Sequence, residues 1–318
     1  MANDKSLGER LQSMPKASLY MILFAVASIP LFFPVKLPNK PIAPAVDFYA
    51  TLMKLPTDKP VLIGTDWTVS TRGESGGQFE ALLRILMERK IKFALYSVGD
   101  PQAPQVARDV VGRLNQERKA MGKEPYMRFR DWVSLGYYSN AEGELQVIAS
   151  DVRRAFANRL DFPEGRPPTD VFQSPVLSGI HLVKDFPLLV VVTPSSTNTI
   201  TIERIGDKVP MMQAVTGVMI PETNVYYASG QLKGMLGGIK GAYDIENLMD
   251  TGINFPGPDG KIAFPYEKYK EGVPPIHVGK IIGKGQAYFA TLHYTMALLI
   301  LAVIAGNVGM WLSRKGAK

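Results

Sequence analysis

The 318-residue chain predicts an α/β fold: a three-layer sandwich around a mostly parallel sheet, Rossmann-like or flavodoxin-like, with one transmembrane helix at each end. Three observations carry that reading. Strand-length apolar runs alternate with helically spaced segments between residues 60 and 252. One run, residues 188–192, is five consecutive aliphatics, and two charge-free stretches flank the whole. A strand that is apolar at every position is buried on both sheet faces, as in a central parallel strand. Strands that alternate with helices build βαβ units, which place helices on both faces of the sheet.

The ends come first. No charge falls within residues 17–35 or within residues 285–313, stretches of 19 and 29 residues. At 1.5 Å per residue, about 20 apolar residues cross a hydrocarbon core of about 30 Å. Helices are therefore expected at 17–35 and 286–312, with short tails at 1–16 and 313–318. Ala25, Val26 and Ala27 resemble a signal-peptide cleavage site, but residues 29–35 stay apolar where a cleaved signal would turn polar. An uncleaved anchor is expected, with Pro30 and Pro34 in its last turn, where lost backbone hydrogen bonds are cheapest. Lys5, Arg10 and Lys16 precede the first span, and Arg314, Lys315 and Lys318 follow the second. On the inner sides stand Lys36 and Lys40, and Lys280 and Lys284. Three basic residues against two, at both ends, orient both termini toward the cytoplasm and the domain away from it.

Between the spans, residues 36–59 read as a proline-rich linker around a helical stretch at 46–55. Val61, Leu62 and Ile63 open a buried strand, and Phe79, Leu82, Leu83 and Leu86 repeat at helical spacing. A second strand is expected at 91–98, then a helix carrying Val106, Ala107, Val110, Val111 and Leu114. A third strand is expected at 127–135, then a helix carrying Leu145, Ile148, Val152, Ala155 and Phe156. Residues 161–169 read as a loop, 171–183 as a helix, and 211–218 as a strand after the central one. The soluble domain closes at Gly252, and residues 253–284, rich in proline and glycine, read as an extended arm returning to the membrane.

Composition narrows the chemistry. The chain has no cysteine, which excludes disulfides, thiol catalysis and cysteine-ligated metals. It has three histidines: His293 in the second span, His277 in the arm, and His181 alone in the domain. No metal site, no cofactor and no catalytic residue is expected from these, and no Gly-x-Ser-x-Gly elbow is present. The net charge of +7 is mostly topology. Residues 1–16 carry +1 and the last five +3, which leaves a middle too dilute for nucleic acid.

Ligands of open parallel sheets bind beyond the carboxyl ends of the strands. Three loops should converge there: 66–77, 99–100 and 193–199. The first opens onto a helix with Arg72 and Ser75 among serines and glycines, the makings of an anion cradle, and equally of an ordinary βα turn. The loop after the central strand offers Ser196 and Asn198. Arg72, Ser75, Ser196 and Asn198 are therefore the expected ligand-binding set.

Residues 230–242 carry five glycines in a pattern that reads as helical. Each should cost about 1 kcal/mol against alanine, so a close neighbour is expected along the stripe of Gly234, Gly238 and Gly241. That neighbour is either the domain's own sheet or another subunit. In the second span, Ala302 and Gly306, with Ala305 and Gly309 on the adjoining face, flank Asn307, a small-residue surface suited to helix pairing. The first expectation for function is a non-enzymatic, membrane-anchored subunit of a larger assembly, homo- or hetero-oligomeric, whose partners are the bilayer and other membrane proteins. The alternative is an extracytoplasmic domain that binds a small ligand at the strand carboxyl ends. A hydrolase-like enzyme ranks third.

Overall fold

The computed structural model describes residues 7–33, 35–163, 165–276 and 283–316, and the expectations placed on Lys5, Pro34, His277, Lys280 and Lys318 lie outside these. The chain divides into two compact units, Asn39–Gly285 and the pair Met1–Pro38 with Gln286–Lys318.

In the larger unit, six parallel strands form one sheet: β1 (Val61–Thr65), β2 (Phe93–Ser97), β3 (Trp132–Tyr137), β6 (Leu189–Thr193), β7 (Met211–Val215) and β8 (Leu232–Gly237). The intervening β4 (Leu160–Asp161) and β5 (Thr169–Asp170) make a separate antiparallel pair. The sheet order is β3-β2-β1-β6-β7-β8. The chain thus builds outward from β1 to one edge, returns, and builds outward from β6 to the other. That is the doubly wound order, with its switch point between β1 and β6.

Side-chain alternation shows why β6 is central. Val190 and Val192 enter the core on one face, and Leu189 and Val191 enter it on the other. The first face is covered by α3 (Ala43–Lys54), α4 (Gly77–Glu88), α5 (Ala103–Ala120) and α10 (Gly238–Thr251). The second lies under α6 (Ala141–Ser150), α7 (Val152–Ala155) and α8 (Thr197–Ile205). With each aliphatic worth about 1.5–3 kcal/mol on full burial, a strand that feeds two cores fixes both layers at once.

Three expectations are corrected. Residues 230–242 are not one helix: β8 runs to Gly237 and α10 starts at Gly238. The spacing of Leu232, Met235 and Leu236 fits a helix, but Gly230 (φ 83°) and Gly238 (φ 57°) punctuate the chain on either side of an edge strand. The close neighbour expected of the glycines exists inside the domain. A Cβ on Gly234 would stand 2.5 Å from both N and Cα of Phe48, so α3 lies directly on β8. Gly241, in α10, packs against the preceding strand β8, where a Cβ would meet the Leu236 carbonyl carbon at 2.9 Å. Residues 171–183 form no α-helix. Two single 3₁₀ turns, Val171–Gln173 and Val183–Asp185, bracket irregular chain in which Pro175 and the left-handed Gly179 (φ 78°) break the spacing. The helix expected through Phe156 is cut at Asp151, which is extended and caps α7 by accepting from Arg154 N at 3.0 Å.

Residues 253–276 are part of the larger unit. Ile253 pairs with Val273 as an antiparallel bridge, both are core residues, and Tyr49 Oη donates to the Pro274 carbonyl at 2.9 Å. Both ends of this unit are held on the first turns of α10. Asp244, fully buried, accepts from Asn39 Nδ2 (2.6 Å), Ile42 N (3.1 Å) and Lys240 Nζ (2.6 Å). Gly285 N donates to Glu246 Oε1 at 2.8 Å.

The smaller unit contains α1 (Leu7–Gln12), α2 (Lys16–Phe32) and nearly all of α11 (Lys284–Gly316). Within α11, the 31 residues Lys284–Arg314 are long and apolar enough to cross a membrane. Helix α2 is apolar but has 17 residues, about 26 Å, so one such helix rather than two passes that length among the described residues. Gln12 Nε2 donates to Ser313 Oγ at 2.8 Å, and Thr291 Oγ1 to the Ala27 carbonyl at 3.3 Å, so α11 runs antiparallel to α1 and α2. The small-residue contact falls on Gly309, where a Cβ would stand 3.0 Å from the Gly8 carbonyl and from Leu11 Cβ. Gly306 has open space, Ala302 is exposed, and Asn307 Nδ2 returns to the Val303 carbonyl of its own helix at 2.9 Å.

Candidate functional site at the strand carboxyl ends

Asp66 is the first residue beyond β1, at the switch point, and its carboxylate is buried. Oδ1 accepts from Ser97 Oγ (3.0 Å), Val98 N (2.8 Å) and Gly99 N (2.9 Å), all at the end of β2. Gly99 is required there, because a Cβ would stand 2.7 Å from that of Asp66. Oδ2 accepts from Thr197 Oγ1 at 3.4 Å, on the loop after β6. One carboxylate thus ties the loops after β1, β2 and β6. Burial pushes its pKa upward, and the donors from Val98, Gly99, Ser97 and Thr197 oppose that shift. Behind it Thr193, Ser195 and Thr197 exchange hydroxyl contacts of 3.0–3.3 Å.

The segment from Trp67 to α4 closes the other side. A 3₁₀ turn, Val69–Thr71, passes into a π-turn, Arg72–Gly76, which feeds α4. Glu74 Oε2 accepts from Gly217 N at 2.6 Å, after β7. Gln78 Nε2 donates to the carbonyls of Val215 (3.0 Å) and Gly238 (2.9 Å), so a side chain in the first turn of α4 clamps the ends of β7 and β8. Trp67 lies under this turn, edge-on to Phe79 with ring centroids 5.6 Å apart.

Four polar atoms of this edge are buried without a hydrogen-bond partner: Trp67 Nε1, Ser75 Oγ, Gln78 Oε1 and Thr216 Oγ1. Each such atom costs about 1–3 kcal/mol, and buried polar groups in folded proteins are paired with very few exceptions. The group has one donor (indole), one acceptor (amide oxygen) and two hydroxyls that serve as either.

Of the four residues expected from sequence, Ser75 belongs to this group and is fully buried. Arg72 and Ser196 are exposed. Asn198 is buried and already used, with Nδ2 donating to Thr223 Oγ1 (2.9 Å) and Oδ1 accepting from Thr199 N (2.7 Å). Asp66 and Trp67 lie in the expected loop 66–77 but outside the expected set, and Gln78 and Thr216 belong to neither. Asp66 carries the one readable signal, an acidic residue directly at the end of an apolar strand. His181 lies elsewhere, its backbone N–H on Asp185 Oδ2 at 2.9 Å. Comparison with protein-family models, characterised proteins and solved structures finds no match.

Proposed function

We propose that this chain is a membrane-anchored protein whose α/β domain binds a small, neutral, polar ligand at the carboxyl ends of β1, β6 and β7. In this reading α2 and α11 both cross the bilayer, both termini are cytoplasmic, and the domain is extracytoplasmic. The observation that carries it is the set of unpaired buried atoms on Trp67, Ser75, Gln78 and Thr216 at the switch-point edge. Their mixed donor and acceptor character suits a polyol or an amide. Asp66 Oδ1 is already occupied by three protein donors. The assembly-subunit reading loses its main support, since the backbone approach at Gly234 is spent on Phe48 within the domain.

The test uses the full chain in non-ionic detergent, melted with a panel of polyols, monosaccharides and primary amides. Ser75→Ala and Thr216→Val should each raise the melting temperature of the unliganded protein, by removing a hydroxyl worth about 1 kcal/mol or more in unmet desolvation. Both should also abolish the shift produced by the stabilising compound. If both variants instead destabilise the protein and no compound shifts it, the ligand site is refuted. Orientation is read separately: protease added to intact spheroplasts should remove the domain and spare both termini.

A further inference from the structure

A cavity of about 360 Å³ lies at the edge strand β3. Three arginines from three separate elements line it: Arg108 in α5, Arg128 before β3, and Arg159 before β4. Each is held in place. Arg128 sits beside Phe129, a non-glycine residue at φ 71°, in a turn closed by Phe129 N donating to the Trp132 carbonyl at 2.6 Å. Arg159 stacks its guanidinium on Tyr138 at 4.0 Å and donates to the Tyr137 carbonyl at 3.2 Å. Arg108 contacts the Gln105 amide oxygen at 2.5 Å. The wall between them is irregular strand. The register of β3 slips at Leu135, and Gly136 (φ 84°) follows, so the strand bends around the cavity.

The charges do not cancel at the wall. Asp161 is the one carboxylate lining the cavity among the described residues, and it is fully buried. It is saturated by Arg128 Nε (2.8 Å), a second Arg128 nitrogen, Ser134 N (3.1 Å) and Phe162 N (2.9 Å). Neither Arg108 nor Arg159 forms an ion pair among the described residues. Among the described residues, Asp109 accepts from Gln105 Nε2 at 2.6 Å, and Glu144 interacts electrostatically with Arg159 without an ion pair. Burial and the Arg128 charge press Arg108 below its usual pKa, against the opposing pull of Asp161 and Asp109. Leu160 and Phe162, 53% and 57% exposed, add an apolar lip, with Phe162 5.7 Å from the Arg128 guanidinium.

We infer that this cavity binds a small phosphate monoester, with the phosphoryl group held by Arg108 and Arg159 and its organic part against Phe162 and Leu160. Two forked guanidiniums that form no ion pair among the described residues suit the charge and the several oxygens of a dianion. The volume is at the small end of ligand pockets. Arg128 is spent on Asp161 and serves to position the wall. This site shares no residue with the switch-point edge, so the two proposals stand or fall separately.

The experiment is calorimetric titration of the full chain in non-ionic detergent with phenyl phosphate at constant ionic strength. The controls are inorganic phosphate and sodium chloride. Saturable binding at one site per chain is expected. Arg108→Gln and Arg159→Gln should each weaken it by about tenfold or more, which is the loss of one charge-assisted contact. Phe162→Ala should weaken phenyl phosphate and leave inorganic phosphate unchanged. Arg108 touches only Gln105 among these groups, so its variant keeps the test decisive should Arg159→Gln fail to fold. Absence of saturable binding, an equal response to chloride, or full binding by Arg108→Gln would overturn the inference.

Discussion

Gly234 and Phe48 stand backbone to backbone: the position a Cβ would take on the glycine lies 2.5 Å from two main-chain atoms of the phenylalanine. No side-chain rotation relieves such an overlap, so helix α3 rests on strand β8 only because residue 234 has no side chain. Gly234→Ala should therefore destabilise the domain by about 1–3 kcal/mol, the usual range for overpacking. Urea denaturation of the full chain in detergent checks this. An alanine variant as stable as the parent would mean that α3 is free to retreat.

The buried Asp66 predicts a slope with pH. Its pKa is raised in the fold, so the native state binds the proton more tightly than the unfolded chain does. Its contribution is greatest at low pH and declines as pH rises through the folded value. Asp66→Asn removes that slope. Between about pH 4 and 7 the variant should gain on the parent in melting temperature as pH increases. A difference that is flat, or that runs the other way, would show that the hydrogen bonds from Val98 and Gly99 outweigh burial.

Arg128→Ala should cost about 3–5 kcal/mol, since it leaves the fully buried Asp161 carboxylate without its counter-charge. Arg128→Ala combined with Asp161→Asn should recover a large part of the loss. Chemical denaturation of the single and double variants forms the check. Equal losses in both would place the cost in packing against Trp132 and Phe162 rather than in charge.

The pairing of α1 with α11 can be read covalently, because the native chain has no cysteine to interfere. Gln12→Cys and Ser313→Cys replace two hydrogen-bonded side chains, and mild oxidation should cross-link them within one chain. Gly309→Leu should lower the cross-linking yield several-fold, while Gly306→Leu, with open space around it, should leave the yield unchanged. Equal effects from both leucines would move the helix contact away from Gly309.

What the sequence made legible followed from burial on both faces. Leu62, Leu95, Val190 and Met212 sit in runs too apolar to be anything but inner strands, and the order of the loops followed from them. Strand β8 escaped because an edge strand needs only part of its length apolar. Lys233 is exposed, and Leu232, Met235 and Leu236 happen to fall at spacings that a helix also uses. Ser75 could be anticipated as a loop polar group, whereas Trp67 in the same loop and Gln78 just beyond it carried no sign of a role. Their significance lies in partners they lack, which no linear pattern encodes. The arginine cavity was hidden for another reason: residues 108, 128 and 159 are far apart in sequence, and only the bend in β3 brings them to one wall.

The clasp on the first turns of α10 has a modular consequence. Asn39 and Gly285, the first and last residues of the larger unit, are held at Asp244 and Glu246, two positions apart in sequence and less than one helical turn. A chain that enters and leaves at neighbouring points behaves as an insertion, like a bead threaded onto a strand that would otherwise run straight on. The residues between Asn39 and Gly285 form one compact unit whose two ends lie side by side on α10. The same adjacency permits a circular permutant of the unit, its old ends joined and new ones opened at an exposed turn such as Gly260, with the six-stranded sheet retained.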